Sequence, residues 1–154
     1  MDNDIVVGVI GSGDDTVALS EAAKEVGALV AKAGYTLING GLGGVMEASA
    51  LGAKEAGGLT IGILPGADKA EANPYIDIAI PSGMGDMRNA LIVRSSTGLI
   101  AVGGALGTLS EIAFALKAGK PVVSIGSWDV SEKIIKAGSA KDAFEKLAAI
   151  ITKG

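Results

Sequence analysis

The sequence predicts a single α/β domain over residues 1–154, of Rossmann-like, doubly wound type, with a mainly parallel sheet and helices on both faces. Three observations predict it. Short β-branched apolar runs alternate with stretches of helical period. Those runs lack the apolar–polar alternation of a half-exposed strand, so they read as strands buried on both faces. Glycine clusters fall where the runs end and the helices begin.

The elements follow in order. Residues 5–10 (IVVGVI) read as the first strand, with Gly11, Ser12 and Gly13 behind it. Residues 16–32 form a helix: Val17, Ala18, Ala22, Val26, Leu29 and Val30 recur at spacings of three and four, and Gly34 ends it. Residues 35–38 are the second strand and 39–44 a glycine turn. Residues 45–56 are a helix of small side chains that packs close to the sheet, closed by Gly57 and Gly58. Residues 59–64 are the third strand, stopped by Pro65 and Gly66. The chain is irregular over 67–74, a short strand over 75–80 and a loop over 81–85. A helix spans 86–96, a strand 98–102, a helix 108–118 and a strand 121–125. A last short strand is read at 133–136, and Ser139 starts the final helix with Asp142 three residues on, an acidic variant of the capping box.

Composition narrows the chemistry. Hydrophobic residues are 49% and charged residues 19%, the balance of a buried core and not of a disordered chain. There are 24 glycines, where ordinary usage gives about 11. Net charge is −4, which argues against a basic nucleic-acid surface. Without cysteine there is neither disulfide nor thiol chemistry; without histidine, acid–base work falls to Asp, Glu, Lys or Tyr. No metal site is expected: Asp68, Glu71, Asn73 and Asp77 match no metal loop. The acidic start, Met1 to Asp4, does not read as a signal peptide. No run approaches the roughly 18 apolar residues of a membrane span. A cytoplasmic protein without a membrane partner is expected. The mean hydropathy of +0.47 is high, and suggests surface buried in a homo-oligomer, a dimer or larger; its alternative is simply a dense α/β core.

Three strand–glycine–helix junctions carry the functional signal, and all three are expected to face one ligand. At the first, Gly11, Ser12 and Gly13, a phosphate contact and a plain tight turn are both open. The dinucleotide spacing GxGxxG is absent there, and the second strand ends in Asn39 where a ribose-binding acid would stand. The second junction holds Gly40, Gly41, Gly43 and Gly44, followed by Met46. That is more glycine than a turn needs, so a ligand is expected against the backbone. The third holds Gly103, Gly104, Gly107 and Thr108, where helix N–H groups without partners suit a phosphate. Thr108 and Glu111 have capping-box spacing, with Thr108 at the N-cap and Glu111 at N3. On that reading the helix dipole keeps Glu111 ionised. Arg88, in the first turn of the helix at 86–96, is the expected cation for the phosphate; its alternative is a surface arginine paired to Asp86.

These residues resemble a known family. Gly103, Gly104, Gly107, Thr108 and Glu111, with Arg88 upstream, are similar to the motif of the Lonely Guy (LOG) family of Rossmann-like proteins. Asn39 to Met46 resembles its first glycine loop. The branch that resembles this chain most, through Pro81-Ser82-Gly83-Met84 and Arg88-Asn89, contains molybdenum cofactor carrier proteins. The resemblance implies one of two activities. A carrier or sensor would hold a small phosphorylated ligand, either a pterin phosphate such as molybdenum cofactor or a nucleoside monophosphate. A phosphoribohydrolase would cleave the N-glycosidic bond of a nucleoside 5′-monophosphate, with Arg88 and Glu111 as the catalytic pair. Either way no cofactor is required, and molybdenum cofactor or a nucleotide is cargo. Family enzymes carry Arg-Lys where this chain has Arg88-Asn89, and Pro-Gly-Gly where it has Val102-Gly103-Gly104, which weighs toward holding.

Overall fold

The computed structural model describes residues 4–14 and 16–152; the start of the chain, Met1 to Asn3, lies outside the described residues. Its strands are β1 (Val6–Gly11), β2 (Thr36–Asn39), β3 (Thr60–Leu64), β4 (Ile78–Pro81), β5 (Gly98–Val102), β6 (Val122–Ile125) and β7 (Ile135–Lys136). Its α-helices are α1 (Val17–Lys32), α2 (Val45–Glu55), α3 (Asn89–Ser95), α4 (Leu106–Lys117) and α5 (Ala140–Ile151). All seven strands join one parallel sheet in the order β4-β3-β2-β1-β5-β6-β7.

The strand period sorts side chains onto two cores. Val7, Val9, Leu37, Ile100, Val102 and Val123 point to one face, under α1, α2 and α5. Ile10, Ile38, Leu99, Ala101 and Val122 point to the other, under α3 and α4. The small residues of α2 serve a second contact besides the sheet. A Cβ on Gly27 would overlap the backbone of Ser49, and one on Gly52 that of Lys24, so α1 and α2 touch backbone to backbone.

Several element ends differ from the sequence reading. The helix expected over 86–96 is a 3-10 turn, Gly85–Arg88, followed by α3. Another 3-10 turn, Lys69–Glu71, lies in the stretch read as irregular. The fourth strand begins at Ile78 and the last at Ile135, each later than expected. At α5 the Ser139 hydroxyl accepts from Asp142 N at 3.1 Å, but the Asp142 carboxylate accepts from Gly138 N, one residue beyond the box expected. Among the described residues no helix is long and apolar enough to cross a membrane.

The strand order reverses once. β1 lies between β2 and β5, with Gly11 beside Val102 at their carboxyl ends. In an open α/β sheet such a reversal leaves a crevice outside the strand ends, because the connections on its two sides run off in opposite directions.

Candidate functional site

A cleft of about 180 Å³ occupies that crevice. Val9, Ile10, Gly11, Ser12 and Gly13 come from β1 and its loop. Gly40 follows β2, and Met46 stands in α2. Asp86, Arg88 and Asn89 come from the 3-10 turn and the start of α3. Ala105, Gly107, Thr108 and Glu111 come from the start of α4. The three glycine junctions thus meet at one place, but not through all of their glycines.

Gly41, Gly43, Gly44, Gly103 and Gly104 do not line the cleft. The chain's own geometry gives a reason for four of them, and none for Gly43, where φ is not left-handed and a Cβ would meet Gly13 O at an ordinary 3.7 Å. Gly41 N donates to Asn39 Oδ1 at 2.8 Å, and Gly44 presses its backbone against Ser12 and Gly13 as the cap of α2. Gly103 (φ 56°) and Gly104 (φ 122°) take left-handed backbone that turns the chain from β5 into α4. Gly103 N donates to Ile125 O at 2.9 Å, and Gly104 packs against Thr108. Gly41 and Gly44 thus serve turns and close packing.

Arg88 is buried, only 8% exposed, and is not the surface arginine of the alternative reading. Its Nε donates to Ile63 O at 2.8 Å, one terminal nitrogen donates to Asn89 Oδ1, and the other reaches Gly40 O at 3.5 Å. Gly40 is glycine for this reason: a Cβ there would stand 2.7 Å from both the guanidinium and Met46 Sδ. A guanidinium has five N–H groups. Among the described residues three are engaged, which leaves one on each terminal nitrogen of a side chain that lines the cleft. Burial pulls the guanidinium down from its ordinary value, while the charges of Glu111 and Asp86 push it back up. It stays a cation throughout.

Glu111 departs from the sequence reading in two ways. The capping box does not form. Helix α4 starts at Leu106 with Ala105 at the cap and no side-chain cap bond, so Thr108 is the third helical residue and Glu111 stands in the second turn. Nor does the dipole keep Glu111 ionised. Burial lifts its carboxyl to about 8 and outweighs the lowering effect of Arg88. Glu111 is 7% exposed, and among the described residues its carboxyl group has neither a hydrogen-bond partner nor an ion pair within 4.0 Å. At neutral pH it is mostly the neutral acid, able to donate a hydrogen bond into the cleft.

Sequence reasoning missed Val9, Ile10, Asp86, Asn89 and Ala105 as cleft residues. Asn89 carried a signal, as a polar side chain at the head of an apolar helix directly after Arg88. Asp86 was visible as a charge two residues before Arg88, but only as a partner for it; Val9, Ile10 and Ala105 carry no polar side chain to signal a site. Among the described residues no group of three or more His, Cys, Asp or Glu is placed to hold a metal ion.

A parallel seven-stranded sheet, helices on both faces and a cleft at its single reversal define a Rossmann-like α/β protein. The chain belongs to the SLOG cluster4 family, whose model matches residues 4–151. An uncharacterized protein of Archaeoglobus fulgidus is 55% identical over 119 residues, 77% of this chain and 78% of that one. The molybdenum cofactor binding protein of the phototrophic bacterium Rippkaea orientalis superposes with a TM-score of 0.92 at 38% identity, covering 98% of this chain and 99% of that one. The molybdenum cofactor carrier protein of Chlamydomonas reinhardtii superposes at 0.88 with 34% identity, covering 97% and 99%. The family resemblance read from the glycine motifs is borne out by these matches.

Proposed function

We propose that this chain binds a small phosphorylated ligand in the switch-point cleft and holds it intact, as a carrier or sensor. The ligand is a pterin phosphate such as molybdenum cofactor, or a nucleoside monophosphate. The observation that carries the reading is Arg88: a buried cation with one free N–H on each terminal nitrogen suits two oxygens of one phosphate. Opposite it stands the N-terminus of α4, where unpaired N–H groups and the dipole favour an anion. A protonated Glu111 donates to such an anion instead of repelling it. The volume of about 180 Å³ falls below the roughly 300–1,000 Å³ of a drug-sized pocket. That suits the phosphorylated end of a ligand whose ring system lies toward the mouth. The similarity to a molybdenum cofactor binding protein and a carrier protein over nearly the whole chain supports pterin phosphate.

A phosphoribohydrolase is the second reading. Its favouring observation is the proton on Glu111, since a neutral carboxyl can protonate a departing base. Against it, an ionised carboxylate is what stabilises an oxocarbenium-like state, and burial withholds that charge at neutral pH.

The test is native mass spectrometry of protein from its own source, followed by incubation with AMP and analysis of the products. Bound pterin with AMP left intact is the expected result. Adenine and ribose 5-phosphate released in an Arg88- and Glu111-dependent way would establish the hydrolase. If no phosphorylated ligand binds, and Arg88→Ala changes nothing in a wider nucleotide screen, both readings fall.

A further inference from the structure

The residue after Arg88 has a job that neither reading above assigns. We propose that Asn89 is a positioning residue: it holds the Arg88 guanidinium at the cleft and ties it to the first turns of α4. The inference rests on the phosphate-site reading for its effect on binding, but not for its geometry.

Asn89 is 4% exposed. Its Oδ1 accepts from a terminal nitrogen of Arg88, and its Nδ2 donates to Ser110 Oγ at 3.2 Å. The Ser110 hydroxyl donates in turn to Gly107 O at 2.6 Å. Every donor in this relay points the same way, from Arg88 toward the Gly107 carbonyl. The relay crosses from the first residue of α3 to the first turn of α4, the two elements that supply the cleft's cation and its helix N-terminus. Without it, the guanidinium is held along one edge by Ile63 O and only loosely by Gly40 O.

The side-chain type follows from this arrangement. Position 89 must accept from a guanidinium and donate to a hydroxyl without bringing charge. An amide does both. An aspartate would accept from Arg88 but could not donate to Ser110, and its charge would compete with the ligand for the cation. An apolar residue would leave the buried Arg88 short of an acceptor and would break its link to the half-buried Ser110.

The experiment compares wild type, Asn89→Ala, Ser110→Ala and the double variant. Affinity is measured by titration with AMP and with inorganic phosphate, and Tm shows that each variant folds. A second readout is the ¹⁵N spectrum of the Arg88 terminal nitrogens, which stay distinct while the guanidinium is held and merge when it turns freely. Asn89→Ala is expected to weaken AMP binding by about tenfold or more, the scale of one lost hydrogen bond to a charged group, and to merge the Arg88 signals. Ser110→Ala, which leaves the Arg88 contact in place, should weaken binding less. The double variant should cost no more than Asn89→Ala alone, because the two act in one chain. Unchanged AMP affinity and unchanged Arg88 signals in a folded Asn89→Ala overturn the proposal. So do additive effects of the two substitutions. If Asn89→Ala does not fold, Ser110→Ala decides: the proposal stands if AMP binding weakens and falls if it does not. Wild type that binds neither probe, yet whose Arg88 signals merge on Asn89→Ala, keeps the positioning role and overturns the phosphate-site reading instead.

Discussion

Glu111 makes the stability of the fold depend on pH in a direction opposite to that of most carboxylates. Its folded value, about 8, lies above the ordinary 4.5. Between those values the folded chain holds a proton that the unfolded chain has released, so stability falls as pH rises through that window. Glu111→Gln mimics the neutral acid and removes the dependence. Thermal unfolding of the two proteins from pH 5 to 8.5 should therefore diverge, with the variant the more stable at the alkaline end; parallel curves would refute the raised value. On the proposed function the same proton bears on ligand affinity. AMP binding should weaken as pH rises through about 8, where the carboxylate starts to repel the phosphate, and Glu111→Gln should flatten that profile. Arg88→Ala should weaken AMP binding by about a hundredfold or more, the scale of a lost bidentate, buried contact. A loss under threefold in a titration would remove Arg88 from the site.

At the scale of elements, the α1–α2 contact and the start of α4 show what the sequence could tell. Gly27 and Gly52 let two helices meet backbone to backbone. Gly52→Ala must push them apart and should destabilise by roughly 1–3 kcal/mol, as overpacking does; urea unfolding reads this directly, and a change under about 0.5 kcal/mol would show that the helices can slide. The existence of that small-residue helix was legible, but its second partner was not, because helix–helix contact leaves no period beyond the one the sheet imposes. The start of α4 was misplaced for a related reason. Thr108 and Glu111 sit three apart, which is the spacing of a capping box and equally that of two side chains on one helix face. The extended backbone at Ala105 starts the helix two residues before Thr108, so the pair faces the cleft from inside the first turns. Arg88 and the meeting of the three junctions could be read from pattern. The burial of Glu111 could not, since it depends on what α3 and the β1 loop bring against it.

For the molecule as a whole, a ligand that binds only the folded state stabilises it by an amount set by its concentration over Kd, about 2.7 kcal/mol at a hundredfold excess. Saturating ligand should raise Tm by several degrees in wild type and leave Arg88→Ala nearly unmoved; equal shifts in both would place the ligand elsewhere. The mainly parallel sheet was legible as a class, because apolar runs alternating with helices admit few other arrangements. The point of reversal was not written in any one residue. It appears only when β5 pairs with β1.

That pairing has a consequence for when the cleft can form. Val7 lies beside Gly98, and Gly11 beside Val102, so β1 waits for a distant part of the chain before its second edge is covered. Contacts this far apart in sequence form slowly, because the intervening chain must first be closed into a loop. A nascent chain still short of Ala105 can contain β1, β2 and both of their glycine turns, yet it lacks the wall that α4 supplies. The cleft therefore comes into being only late in synthesis, and a partly made chain presents two of its glycine turns without the surface that completes it.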